Sequence, residues 1–61
     1  MNALQKIKSM AAERLLDADE IISDFIEAND GGEGLKHETE FLLVDIMHHI
    51  SEAMISLNKI K

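Results

Sequence analysis

Two adjacent histidines bracketed by carboxylates, in the stretch DIMHHISE from Asp45 to Glu52, are the residues of this chain best suited to chemistry. Imidazole and carboxylate together can ligate a metal ion or move a proton. Asp45 lies three residues before His48 and four before His49, and His48 lies four before Glu52. All are neighbour spacings on a helix. Di-iron helical bundles place a Glu-x-x-His pair on each of two helices and add inward glutamates from the others. Asp45-x-x-His48 follows that pattern only in outline. Consecutive helical residues diverge by about 100°, so His48 and His49 cannot readily hold one ion from a single helix. A histidine–carboxylate metal site would need inward carboxylates from elsewhere, or a second copy of the chain across a dimer axis.

Other chemistry finds less support. The stretch DADEIISDFIEA from Asp17 has acids where a calcium loop begins. Such a loop requires glycine where Ile22 stands and a bidentate glutamate where Ala28 stands, so the stretch reads as helix. There is no cysteine, which leaves no thiol nucleophile, disulfide or thiolate zinc site. No glycine-rich phosphate loop or nucleophile elbow occurs, and Ser9, Ser23, Ser51 and Ser56 are scattered. The residues therefore point to no catalytic site, no cofactor and no resident metal, and the chain is expected not to be an enzyme.

The elements that would carry these side chains are two helices. The only punctuation is NDGGEG, Asn29–Gly34, which holds all three glycines, and the chain has no proline. Asn29 or Gly31 can take the left-handed conformation that ends a helix. The long flanks are rich in Ala, Leu, Met, Glu and Lys, good helix formers. The fold class expected is all-α: one antiparallel helical-hairpin domain over residues 1–61, with a helix over about 3–29, a turn at 30–33 and a helix over about 34–60.

At 100° per residue, the first helix carries one apolar stripe of Leu4, Ile7, Ala11, Leu15, Ala18, Ile22, Phe25 and Ile26, flanked by Met10 and Ile21. Glu13, Asp17, Glu20, Asp24 and Glu27 lie opposite, and Leu16 projects toward that polar side. The second helix has a main stripe of Leu35, Leu42, Ile46, His49, Ile50, Ala53, Leu57 and Ile60, widened by Leu43, Met47 and Met54. Residues 43, 47, 50, 54 and 57 alternate by four and three, as a packing seam does. A second strip, Phe41, Val44 and Ile55 with His37 and His48 between them, lies on the back. A helix apolar on more than one side is buried by more than one neighbour. One partner helix cannot cover both faces, so the pattern predicts two hairpins joined in a homodimeric four-helix bundle. His49, beside Ile46, Ile50 and Ala53, then reads as a packed or interface position.

Size supports the same expectation. A chain of 61 residues buries only about 60% of the surface its unfolded form exposes, and small scaffolds without disulfides commonly add a subunit. The net charge of −6 opposes direct nucleic-acid binding, which needs basic residues to displace counterions, and suits a basic protein partner. An acidic decoy that blocks a nucleic-acid-binding protein is the alternative. No run approaches the roughly 18 apolar residues of a membrane span, and no signal-peptide core is apparent, so a cytoplasmic protein is expected. The candidate partner surface is Leu16 with Asp17, Glu20, Asp24 and Glu27, and a second is any part of the Phe41–Val44–His48–Ile55 strip that dimerisation leaves uncovered. From its opening MNALQKIK to its closing LNKIK, the chain resembles the small acidic accessory proteins encoded in early regions of temperate lambdoid phages. That resemblance implies a host-modulating role through protein–protein contact.

Overall fold

The computed structural model describes residues 2–61 as two antiparallel helices joined by a tight loop. The first helix, α1, runs Ala3–Ala28 and the second, α2, runs His37–Asn58. Asn2 caps α1: its side-chain oxygen accepts from the Gln5 N–H at 2.8 Å, satisfying one donor that the first turn leaves free. At the far end the Asn29 side-chain amide donates to the Phe25 carbonyl at 2.8 Å. α2 has no side-chain cap, but Glu38 and Glu40 in its first turn complement the positive end of the helix dipole.

The reversal uses a short 3₁₀ turn, Asp30–Gly32, in which Asp30 (φ +58°), Gly31 (φ +69°) and Gly32 (φ +104°) all have positive φ. The Asn29 carbonyl accepts from the N–H groups of both Gly32 and Gly34, at 3.1 and 2.9 Å. Of the two residues expected to take the left-handed step, Gly31 does (φ +69°, ψ +20°) and Asn29 does not (φ −110°); Asp30, whose short polar side chain tolerates it, joins Gly31 there. One boundary differs from the sequence expectation. α2 begins at His37, not near residue 34, because Lys36 is extended (φ −64°, ψ 143°).

The seam between the helices uses the expected alternation. Leu43, Met47, Met54 and Leu57 are half-buried, and Ile50, at 9% exposure, is the one buried hydrophobic among the described residues. They meet Ala11, Leu15, Ala18, Ile22 and Ile26, also half-buried, and the alanines let the helices approach closely. At the open end the Lys8 ammonium donates to the Ile60 carbonyl at 3.0 Å. A cation thereby serves the carbonyl-rich end of α2.

The molecule measures 45 × 16 × 11 Å, so its thinnest dimension is one helix diameter. Its radius of gyration is 14.2 Å, where a compact chain of this length has about 10.5 Å. It is a plank, with two broad faces and two long edges.

The loop geometry sets an order of sensitivity. Gly32 is buried with φ +104°, and a Cβ there would meet the Glu40 carboxyl carbon at 3.0 Å; Gly31, φ +69°, has open space around it. The Glu40 carboxyl can swing aside, so the backbone decides. Gly32→Ala should cost about 2–3 kcal/mol, against about 1 for Gly31→Ala, whose backbone lies near the left-handed helical region. Urea unfolding of both variants checks this, and the reverse order would contradict it.

Candidate interaction surfaces

Both histidines of the DIMHHISE stretch are exposed on α2, and His48 lines a groove shared with α1. The His48 Nε2 is 3.0 Å from Glu52 Oε1, and the His49 Nε2 is 3.3 Å from Asp45 Oδ2. His49 Nδ1 lies 4.0 Å from the same Glu52 oxygen. The two rings are 6.3 Å apart and tilted by 55°. His37 stacks on Phe41 one turn later, at 6.0 Å between centroids. Among the described residues no three His, Asp or Glu side chains converge to hold one ion. The arrangement can make surface ion pairs of i,i+4 type, which stabilise a helix slightly.

The sequence placed His49 within the main seam. In the hairpin its side chain is 67% exposed, because the seam is centred on residues 43, 47, 50, 54 and 57, and His49 falls on the shoulder beyond them. The same rotation leaves Leu42 and Ile46 exposed, with Ile60 at the threshold of exposure, though all three were assigned to the main stripe. On α1 it turns Ile7, Met10, Ile21 and Phe25 outward. Ala53 stays half-buried. Phe41 (72% exposed), Val44 and Ile55 are uncovered, as an apolar back strip should be in one hairpin.

These exposures sort by helical angle onto the two sides of the plank. On the first broad face Ile7, Met10, Ile21 and Phe25 of α1 lie beside Leu42, Ile46 and Ile60 of α2. A cleft of about 620 Å³ lies between the helices there, lined by Ala11, Arg14, Leu15, Ala53 and Leu57 among others. Arg14 is the only charge in its lining. On the second broad face Leu16 of α1 and Phe41, Val44 and Ile55 of α2 are exposed beside a groove of about 820 Å³. That groove has Asp19, Ser23 and Glu27 on the α1 side, Val44, His48 and Ser51 on the α2 side, and Ile26 and Met47 between. The edges are polar: Asp17, Glu20 and Asp24 along α1, Asp45 and Glu52 along α2, all exposed.

Of the partner surface named from sequence, Leu16, Asp17, Glu20, Asp24 and Glu27 are indeed all exposed on α1. Their i,i+3 and i,i+4 spacings join them in one strip, which runs from Asp17 and Asp24 on the edge to Leu16 and Glu27 toward the second face. Asp19 and Ser23, which complete the groove beside Glu27, were not singled out, and Ile26 and Met47 were read only as packing positions. Their signal was angular, visible only once the rotation of each helix against the other is known.

No helix is long and apolar enough to cross a membrane among the described residues. No protein-family model, curated protein or solved structure matches this chain.

The exposure of the histidines makes a prediction about their role. His48→Ala should change unfolding stability by no more than about 0.5 kcal/mol, the ordinary range of a surface substitution. Zinc added to the unsubstituted chain should leave the melting temperature unmoved, since bound ligand would raise it. Thermal melts with and without zinc or chelator read both outcomes.

Proposed function

We propose that this chain is a homodimeric, all-helical protein–protein interaction module acting in the cytoplasm, with binding rather than catalysis as its function. One observation carries the reading: the hairpin leaves much more surface in water than a self-sufficient domain does. Its accessible surface is 4944 Å², whereas a compact monomer of 6.8 kDa exposes about 4,000 Å². The excess, about 1,000 Å², is close to the roughly 800 Å² that each partner contributes to a standard interface.

The first broad face is the one that suits a second copy. Both helices contribute large apolar side chains to it, and no carboxylate lines its cleft. Two planks stacked on that face complete a four-helix bundle with an isologous interface. Leu42, Ile46 and Phe25 would lie in its core, beside the seam residues Leu43, Met47, Ile50, Ala53, Met54 and Leu57, with His49 at the margin. The second face and the acidic edge of α1 then remain outside the dimer and available to another protein. By resemblance to the accessory proteins of temperate phages, that partner is a host protein.

An acidic decoy is the second reading, and one observation favours it. Among the described residues no Lys or Arg pairs with a carboxylate; every ion pair involves a histidine. The acids of α1 are therefore free to meet a basic surface. A decoy binds with strong dependence on salt, whereas an apolar adaptor is less affected.

Sedimentation and thermal melts over a range of concentrations test the dimer. The melting temperature should rise with concentration, and a folded monomer at micromolar concentration would defeat the proposal. Ile46→Asp should leave α-helical hairpins that no longer associate, since the position is exposed in one hairpin. Ile50→Asp should unfold the chain, because an unpaired charge in the seam costs several kcal/mol. Circular dichroism beside sedimentation separates the two effects.

A further inference from the structure

We propose that the groove on the second broad face receives an amphipathic helix of a partner protein, one that carries Lys or Arg beside a stripe of Leu, Ile or Met. The inference rests on the interaction-module reading and names the kind of partner.

The groove has the character such a helix requires. Its floor is apolar, formed by Ile26 and Met47 with Val44 rising on the α2 side, and Asp19 and Glu27 stand along its α1 wall. Neither carboxylate is matched by a Lys or Arg among the described residues. Methionine on the floor adapts to side chains of different shape. The volume of about 820 Å³ is ample for several large side chains, but the groove is an open trough along the helix axes. An elongated occupant fills such a trough; a small molecule would stay largely in solvent.

Backbone chemistry and charge narrow the occupant further. Both walls are α-helices whose main-chain groups bond internally, so no strand edge is offered for β-augmentation, and the helix-in-groove mode remains. From Asp19 to Glu27 the wall spans about 12 Å, or two helical turns. Apolar anchors spaced i, i+3/i+4 and i+7 on the incoming helix match that length, with basic residues on the flank that meets Asp19 and Glu27. A second copy of this chain is a poor occupant. It carries a net charge of −6, and Arg14 is the only basic residue within the body of either helix between Lys8 and the C-terminus of α2. Its helices would therefore bring acid against acid.

The test uses the full chain and a dye-labelled Leu/Lys peptide of about five helical turns, with Leu confined to one stripe. A scrambled peptide of identical composition, unable to form that stripe, is the control. Binding is read by fluorescence anisotropy, the contact surface by amide chemical-shift changes, oligomeric state by sedimentation of the same samples, and helicity of every variant by circular dichroism. The striped peptide should bind at least about tenfold more tightly than the scrambled one, and Asp19→Lys with Glu27→Lys should weaken it by about tenfold or more. Val44→Lys should weaken it similarly and leave the dimer intact. The same charge change on the edge, Asp17→Lys with Asp24→Lys, should alter binding by no more than about threefold.

Equal loss from edge and groove variants would mean diffuse attraction to acid and would overturn the proposal. So would shifts that map to Leu42 and Ile46, or dissociation of the dimer by Val44→Lys, which would place a second copy in the groove. A dimer that ignores the striped peptide defeats the groove alone. A folded monomer defeats the module reading itself.

Discussion

A pair of helices lying side by side can shield only one stripe of each other, and every other feature of this protein follows from that limit. In a body 11 Å thick nothing lies behind a side chain that turns away from the seam. Ile50 is therefore the one hydrophobic side chain that is buried among the described residues, and even the other seam positions remain partly open. Residues that would form a core in a three-layered domain instead make up two broad faces. Among the described residues two helices leave many large apolar side chains uncovered. Hydrophobic burial is the main favourable term in folding, and a single hairpin realises little of it.

The loop determines which side chains share a face. Positive φ at Asp30, Gly31 and Gly32 turns the chain sharply, and the extended Lys36 starts α2 only at His37. With the ends so joined, Lys8 reaches the Ile60 carbonyl at the opposite end. Asp19 and Glu27 come to stand across from Val44 and His48. The resulting asymmetry is chemical. One face combines large apolar side chains with a single arginine in its cleft, while the other combines an apolar floor with carboxylates. In the proposed dimer this asymmetry assigns the faces: like copies meet where their acids are absent, and the acidic groove stays available to something basic.

Much of this architecture was legible in the residues themselves. The NDGGEG break, the two helical flanks and the alternating seam at 43, 47, 50, 54 and 57 all reappear in the fold. So does the uncovered strip of Phe41, Val44 and Ile55. His49, Leu42 and Ile46 were harder, because they sit beside seam residues on the helical wheel and look equally apolar in pattern. Ile7 and Phe25 posed the same difficulty on α1. Each belongs to a wide apolar arc, and a partner helix covers only part of such an arc.

Sequence alone thus determined the elements, their break, the sorting of charge to the far side of α1 and the surplus of apolar surface. Those depend on local propensity and on the angle between residues of one helix, which the 3.6-residue period specifies. The tertiary structure decided the rotation of each helix about its own axis relative to the other. That angle is set by how the alanines and larger side chains interdigitate across the seam and by where the loop releases α2. It moved His49 of DIMHHISE out of the seam, and it brought Asp19, Glu27, Val44 and Met47 together around one groove.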